Sequence, residues 1–256
     1  MKSETVSQDL FKSVYRKRSG KLHRMSYMRR GKYLAVHAGL EACGFNLSQK
    51  KVFDFGFGPG SFLLSCPKDC KVSGCEIDPD HVSSLQAEMK SLGYESVNLR
   101  AASEESEDFS LPFGGEKYDL IVYSHVLEHV DKPIVAMEAA KGSLSSEGIV
   151  VVVLPINEQK PDPKHVHLVD EELAKSWFVN SGYELLTVQQ LGSLNYLLQP
   201  LMGGESKLSR WRAQFLSLSI GLLSAPFQAS QWWGVTDRSS IKKGQIVLVG
   251  RPSRAS

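Results

Sequence analysis

Short apolar segments alternate with helix-like segments through the middle of this 256-residue chain. Strands that alternate with helices form a parallel sheet with helices packed on both of its faces. The sequence therefore predicts an α/β domain with a doubly wound, mostly parallel sheet. The predicted strands are Lys51–Phe55, Lys71–Ile77, Val97–Leu99, Tyr118–Tyr123, Ile149–Leu154, Tyr183–Gln190 and Gln245–Gly250.

The composition excludes several other classes of protein. Hydrophobic residues make up 42% of the chain and charged residues 23%, which is typical of a globular protein and not of a disordered one. No apolar run reaches the roughly 18 residues of a membrane span. Four cysteines without a C-x-x-C pair, and a polar beginning without a signal segment, predict free thiols and a cytoplasmic location.

The two ends of the chain differ from this alternating pattern. Residues 1–50 are predicted to form an N-terminal helical arm, and 51–256 the α/β domain. Within that domain, 191–244 is too long for a loop and is rich in Leu, Trp and Ser, so a helical insertion is predicted before the last strand. A helix near Asp170, which is a good N-cap residue, is predicted to end at Gly182.

The strongest local signal is KVFDFGFGPGSF, which begins at Lys51. It combines a strand that contains Asp54 with three glycines, and the loop is expected to open a helix whose free N–H groups attract polar or negative ligand groups. The next strand ends in Glu76, where a carboxylate can bind ribose hydroxyls. The dinucleotide fingerprint needs glycine where Ser61 stands, so an NAD-type Rossmann oxidoreductase is only an alternative.

Four motifs in this order resemble the class I S-adenosylmethionine (SAM)-dependent methyltransferases, in particular their small-molecule branch. The motifs are DFGFGPG, CEIDP, YDLIVYSHVLEHVDKP and HVHLVDEELAKSWFVNSGYELLTV, which together extend from the first strand to about Gln190. The resemblance implies a seven-stranded sheet whose last strand is antiparallel, with SAM lying across the carboxyl ends of strands one, two and four.

The resemblance also implies which residues bind the cofactor. Asp54, Gly56, Gly58 and Gly60 would hold the methionine end, and Glu76 would hold the ribose. Ile77 would flank the adenine, and Ser124 and His125 would lie beside the methionine moiety after the fourth strand. One departure concerns the adenine. Where many relatives have an acid after strand three, this chain has Arg100, Ala101 and Ala102, so only Ser103 or Glu104 could replace it.

Methyl transfer to a hydroxyl or an amine requires a group that takes up the acceptor's proton. The candidate bases are His125 after the fourth strand, and His165 and His167 in the loop after the fifth. Of the two loop histidines, His165 matches a position of the family, whereas His167 is equally well explained as a hydrogen-bonding loop residue.

No metal site is predicted. If a helix followed the fourth strand, His125 and His129 would lie one turn apart with Glu128 beside them. Some magnesium-dependent relatives have Glu-x-x-Glu-His here, but in this chain histidine replaces the first glutamate, and imidazole is a poor ligand for Mg²⁺.

The expected acceptor is a small molecule, a saccharide or a lipid-linked compound, methylated on a hydroxyl, an amine or a carbon. Methylation of RNA or protein is the alternative, because nine basic and no acidic residues lie between Phe11 and Lys32. The net charge of the whole chain is only +2, so nucleic acid is not the expected partner. Peripheral contact with a membrane through 12–32 and 211–233 is a further hypothesis, and the apolar helix in 211–233 could equally pack on the sheet or on a second subunit.

The membrane hypothesis predicts that the protein co-sediments with anionic but not with neutral vesicles, because the basic segment is attracted to anionic lipid. High salt and charge reversal in Arg29→Glu/Arg30→Glu should each weaken binding. If the protein stays in the supernatant with both vesicle types at low salt, the membrane hypothesis fails, and the insertion is instead a lid or a subunit contact.

Overall fold

A computed structural model describes residues 27–103, 109–158, 162–192, 215, 216, 219 and 243–253. The described chain contains four α-helices, which are α1 (Tyr27–Ala42), α2 (Pro79–Ser91), α3 (Pro133–Ser143) and α4 (Glu171–Asn180). The strands are β1 (Lys51–Phe55), β2 (Lys71–Glu76), β3 (Ser96–Ala101), β4 (Tyr118–Ser124), β5 (Leu144–Pro155), β6 (Tyr183–Gly192) and β7 (Lys243–Pro252).

All seven strands form one sheet in the order β3-β2-β1-β4-β5-β7-β6. The pairs among β1 to β5 are parallel, whereas β7 runs antiparallel to both β5 and β6. The predicted mostly parallel α/β sheet is therefore confirmed. Each predicted strand is present, β1 with the predicted ends and the others with one or both ends shifted by a few residues. The largest shift is in β5, which begins at Leu144 instead of Ile149.

Alternating residues of the central strands divide the core into two layers. Val52 and Val122 face one side of the sheet, in the cluster that includes residues of α1 and α2. Phe53 and Tyr123 face the other side, with residues of α3 and α4. Side chains in a strand point alternately to opposite faces, so a sheet that is covered on both sides needs the continuous apolar runs seen in this sequence.

Helix α1 belongs to the core although its residues lie within the predicted N-terminal arm. Ala35, Val36 and Leu40 are buried in the same cluster as Val247 and Val249 of β7. This part of the arm is therefore not an appendage, because it covers one face of the sheet.

Other parts of the arm and the insertion are not described. Residues 1–26 and most of 193–242 lie outside the described residues, so the helical insertion and the membrane-contact segments stay predictions. Within the described ranges, no helix is long and apolar enough to cross a membrane.

Two glycines of α1 test its packing. A Cβ atom at Gly39 would lie 2.7 Å from Val247 Cγ1, whereas at Gly31 the nearest atom would be 4.0 Å away. Alanine favours a helix over glycine by about 1 kcal/mol. We expect Gly31→Ala to raise the free energy of unfolding by up to about that amount, and Gly39→Ala to lower it because β7 leaves no room. Urea denaturation measures both, and equal stabilisation by both would show that α1 does not pack on β7.

Candidate active site

The predicted cofactor residues come together at one edge of the sheet. Asp54 pairs with Gly74 and Val122 in the neighbouring strands, Glu76 is the last residue of β2, and Ser124 is the last residue of β4. These strands are parallel, so their carboxyl ends lie on the same side, which is where ligands bind in open α/β sheets. The structure thus brings Asp54, Glu76 and Ser124 to a common edge.

The glycine loop follows β1 at this edge. Gly56, Gly58 and Gly60 all have positive φ, at 68°, 52° and 74°. Only glycine adopts such angles without strain. A Cβ at Gly58 would meet no atom within 4 Å, so this backbone borders open space.

The helix expected after the glycine loop is not formed, which corrects the prediction. The loop instead leads into a short 3₁₀ turn, Leu63–Ser65, which ends at Cys66 in an extended conformation. Cys66 precedes Pro67, and a residue before proline is driven out of the helical region. The loop is therefore not followed by the N-terminus of an α-helix, and its own N–H groups at Gly56, Phe57, Gly58 and Gly60 donate hydrogen bonds within the protein.

Glu76 holds the glycine loop in place. Its Oε2 accepts a hydrogen bond from the Gly58 N–H at 2.6 Å, and its Oε1 accepts one from the Ile77 N–H at 2.9 Å. Burial raises the pKa of this carboxyl group, while the bond from Gly58 opposes that shift. Glu76 thus fixes the loop as well as lying where the ribose was predicted, and motif spacing alone did not reveal this second contact.

Asp54 is a buried carboxylate without a partner for one of its oxygens. Its side chain is 3% exposed, and Oδ1 accepts no hydrogen bond. Burial, together with the neighbouring Glu76 carboxylate, raises the pKa of Asp54 well above its usual range. Such a group destabilises the free protein, and it is explained if a ligand supplies the missing donor.

The adenine side agrees less closely with the prediction. Ile77 is 37% exposed just beyond β2, so its side chain is free to contact a ligand. Ala102 donates its N–H to the Glu76 carbonyl, and Ser103 is exposed nearby. Glu104 lies outside the described residues, so the replacement for the family's acid stays a prediction.

His125 follows β4 and is held by its backbone. Its N–H donates to the Val153 carbonyl, and its φ is 57°, outside the right-handed helical region. The helix considered for this segment is therefore absent. The chain forms a 3₁₀ turn, Leu127–His129, and His125 and His129 do not occupy successive turns of an α-helix.

The His125 imidazole is polar, nearly buried and only partly satisfied. Nδ1 lies 3.4 Å from Glu128 Oε1, whereas Nε2 has no hydrogen-bond partner. Burial, followed by the positive charge of Lys32 in α1, lowers the pKa of His125 to about 4. The Gln245 side chain of β7 lies near this ring and partly opposes the lowering of its pKa. The Oε1 atom of Gln245 is itself buried without a hydrogen-bond partner. No sequence motif pointed to Gln245, because its strand lies far from His125 along the chain.

The two loop histidines have different surroundings. His165 Nδ1 lies 2.7 Å from Glu158 Oε2, and its ring packs edge-on against His129 with the centroids 4.8 Å apart. His167 Nε2 instead donates to the Val130 carbonyl, and its ring packs against Trp177. His165 is therefore available at the site, whereas His167 is a packing residue. No spacing rule in the sequence indicated Glu158 as the partner of His165.

One group in the described part of the chain has the spacing of metal ligands. One ligand atom from each of Glu128, His129 and His165 lies within 4.8 Å of the others. Glu128 is 1% exposed, and neither of its carboxylate oxygens has a hydrogen-bond partner. His125, which the sequence placed in this constellation, is not a member.

The comparisons with known proteins agree with this geometry. A family model described as "Methyltransferase domain" matches residues 26–199. The chain belongs to this methyltransferase family. It is a SAM-dependent methyltransferase, and SAM is its methyl donor. No curated protein sequence matches the chain.

Solved structures with the same fold are distant in sequence. Coclaurine N-methyltransferase bound to N-methylheliamine and SAH is 12% identical with a TM-score of 0.56, over 87% of this chain and 71% of that one. The YcgJ protein of Bacillus subtilis is 16% identical with a TM-score of 0.56, over 86% and 99%. The [4+2]-cyclase SpnF is 15% identical with a TM-score of 0.55, over 85% and 80%. The fold alone therefore does not identify the acceptor.

The unpartnered carboxylate of Asp54 predicts opposite effects on stability and on binding. In the unfolded chain Asp54 loses its proton above about pH 3.9, whereas in the folded protein the raised pKa keeps it protonated to a higher pH. The free energy of unfolding therefore falls as the pH rises from about 3.9 to the folded-state pKa. We expect Asp54→Asn to raise the free energy of unfolding of the ligand-free protein at pH 7 by about 1 kcal/mol, and to weaken SAM binding. The gain should shrink as the pH falls towards about 4.

Asp119 provides the matched control, since its two oxygens accept hydrogen bonds from the Lys51 N–H and the Ser145 hydroxyl. Asp119→Asn should destabilise the protein and leave SAM affinity unchanged, as measured by denaturation and calorimetry. A loss of stability in Asp54→Asn with unchanged SAM affinity would contradict the role given to Asp54.

Proposed function

We propose that this enzyme transfers the methyl group of SAM to a hydroxyl, an amine or a carbon of a small-molecule, saccharide or lipid-linked acceptor. The observation that carries the proposal is the unpartnered Nε2 of His125, immediately after β4 at the edge that the cofactor residues share. The lowered pKa keeps this nitrogen unprotonated at pH 7, so it can accept a hydrogen bond from a bound substrate and take its proton as the new bond to the methyl group makes that proton more acidic.

The cofactor half uses the edge formed by β1, β2 and β4. The glycine loop and Asp54 bind the methionine end of SAM, and Ser124 flanks it. Glu76 binds the ribose while it holds the Gly58 N–H, because a carboxylate has enough lone pairs for both contacts. Ile77 packs against the adenine.

The acceptor half consists of His125, His165 and the groups around them. Methyl transfer is an in-line displacement in which the acceptor atom attacks the methyl carbon, the bond from that carbon to sulfur breaks, and SAH leaves. The protein must therefore align the two reactants and exclude water. Where the acceptor is a hydroxyl or an amine, its proton passes to His125 Nε2. Glu128 orients His125 from the Nδ1 side, and Glu158 orients His165 in the same way.

Charge near His125 favours an acceptor that carries a negative group. Lys32 is close enough to influence the His125 ring, and it is the last residue of the basic segment in the sequence. This supports an anionic or phosphate-bearing acceptor. RNA is the alternative that the same charges favour, and the overall net charge of +2 speaks against it.

An acceptor search tests the proposal directly. Purified protein is incubated with methyl-labelled SAM and a cell extract that has been separated into small-molecule, lipid, RNA and protein fractions. We expect label in the small-molecule or lipid fraction. Gly58→Val serves as the inactive control, because its side chain would occupy the open space beside the loop. Label that enters only RNA or protein would overturn the assignment of the acceptor.

The histidines predict a separation of catalysis from cofactor binding. We expect His125→Ala and His165→Ala to lower kcat by about 100-fold or more with little change in the Kd for SAM, because both act on the acceptor side. His167→Ala is the control from the same loop, and its effect on kcat should be much smaller. Full activity in both of the first two variants would show that the acceptor loses its proton without either histidine.

A further inference from the structure

We propose that Glu128, His129 and His165 form a binding site for a divalent transition-metal ion of the zinc class. These residues come from the 3₁₀ turn after β4 and the loop after β5, which lie far apart in the sequence. One ligand atom from each falls within 4.8 Å of the others. In a tetrahedral site the ligand atoms are about 3.3 Å apart, as follows from bonds of about 2.0 Å. An ion must therefore draw the three ligand atoms closer together by up to about 1.5 Å when it binds.

The hydrogen bonds of the two imidazoles leave a lone pair on the nitrogen that a metal needs. His129 Nδ1 lies 3.0 Å from the Lys164 carbonyl oxygen, which can only accept, so Nδ1 carries the proton. His165 Nδ1 lies 2.7 Å from the Glu158 carboxylate, which accepts in the same way. Each ring therefore presents an unprotonated Nε2. Metal-binding histidines characteristically donate their other N–H to a carbonyl or a carboxylate.

The third ligand is a buried carboxylate that lacks hydrogen bonds. Both oxygens of Glu128 are unpartnered although the residue is 1% exposed, and its contact with His125 is a 3.4 Å ion-pair distance. A buried carboxylate is costly unless it is paired or bound to a metal. A cation at this position supplies the missing partner.

The backbone holds the two segments together. The N–H groups of Val166 and His167 both donate to the Glu128 carbonyl, at 2.8 and 3.2 Å. The loop that carries His165 is thereby attached to the turn that carries Glu128 and His129. The two backbone segments are therefore already joined before an ion binds, which lowers the entropic cost of bringing the ligands together.

The ligand set selects the class of metal. Two imidazoles and one carboxylate suit Zn²⁺, Fe²⁺ or Co²⁺, whereas Mg²⁺ prefers six oxygen ligands. Three protein ligands leave one coordination position for water or substrate, as in catalytic zinc sites. The expectation of no metal rested on the pair His125 and His129 along one helix. In the structure His165, and not His125, lies beside Glu128 and His129. The spacing of residues in the sequence did not predict that His165 belongs to this cluster.

If the proposed function holds, the ion would also bind the oxygen of the methyl acceptor. Metal binding itself does not depend on the proposed function. The test uses the full chain after removal of metal with a chelator. Titration with Co²⁺ should give visible d–d absorption of a four-coordinate site that saturates at one ion per chain, and calorimetry should show that Zn²⁺ binds at the same place. Millimolar Mg²⁺ should not displace either ion.

Variants separate the ligands from their surroundings. His129→Ala and His165→Ala should each lower Zn²⁺ affinity by about 100-fold or more, and Glu158→Gln, which removes a supporting contact, by about 10-fold. His167→Ala is the matched control and should bind Zn²⁺ as the parent does, because its Nε2 is bonded to Val130. His129 is exposed, so its replacement leaves the core intact.

The proposal is overturned if the metal-free protein binds neither Co²⁺ nor Zn²⁺. It is also overturned if the parent and both ligand variants bind Zn²⁺ with equal affinity. Displacement of Zn²⁺ by Mg²⁺ would refute the assignment to the zinc class. Calorimetry with SAM on the same metal-free protein keeps the two proposals apart. Binding of SAM without binding of metal refutes the metal site alone, whereas metal binding without methyl transfer to any extract fraction refutes the proposed function alone.

Discussion

The hydrogen bond from the Gly58 N–H to the Glu76 carboxylate is the contact on which the candidate cofactor site, at the carboxyl ends of β1, β2 and β4, depends. It joins the loop after β1 to the end of β2, and it holds three glycines with positive φ in one arrangement. The bond requires a buried carboxylate, and a second one, Asp54, lies close enough for burial and the Glu76 charge to raise its pKa. Charged groups in such surroundings are retained at a cost in stability, which is a recurrent trade-off at functional sites.

The acceptor side is built on a different principle. Its polar groups come from the ends of three strands, β4, β5 and β7, that are neighbours in the sheet but are separated in the sequence. His125 leaves β4 with positive φ, Gln245 comes from β7, and Glu158 and His165 come from the loop after β5. Several of their polar atoms are buried without partners, among them His125 Nε2, Gln245 Oε1 and both oxygens of Glu128. Unsatisfied groups that cluster beside a cofactor edge are the pattern expected where substrate or an ion completes the hydrogen bonding.

The architecture explains how one chain can combine these two sides. The parallel register from β3 to β5 brings the carboxyl ends of the strands to a single edge, whichever side chains follow them. Helix α1 closes one face of the sheet and at the same time brings Lys32 near His125. The same helix is therefore a packing element and a source of charge at the acceptor side.

The fold class and the strands could be predicted from local sequence patterns, and so could the place of the candidate cofactor site at the ends of β1, β2 and β4. These follow from local patterns, since apolar runs define β1 and β4, and the glycine loop with Glu76 needs only the spacing between two neighbouring strands. Backbone conformation after these strands was less predictable. The loop after β1 ends in a 3₁₀ turn because Pro67 follows Cys66, and the turn after His125 is not α-helical because of a positive φ.

Which side chains meet on the acceptor side depends on the tertiary structure alone. His165 and His167 are two residues apart, yet one lies against Glu158 and His129 and the other packs on Trp177. Contacts of this kind depend on how a loop folds back onto a distant turn, here through the hydrogen bonds to the Glu128 carbonyl. Periodicity and motif spacing describe neighbours along a strand or a helix, and they contain no information about such long-range contacts.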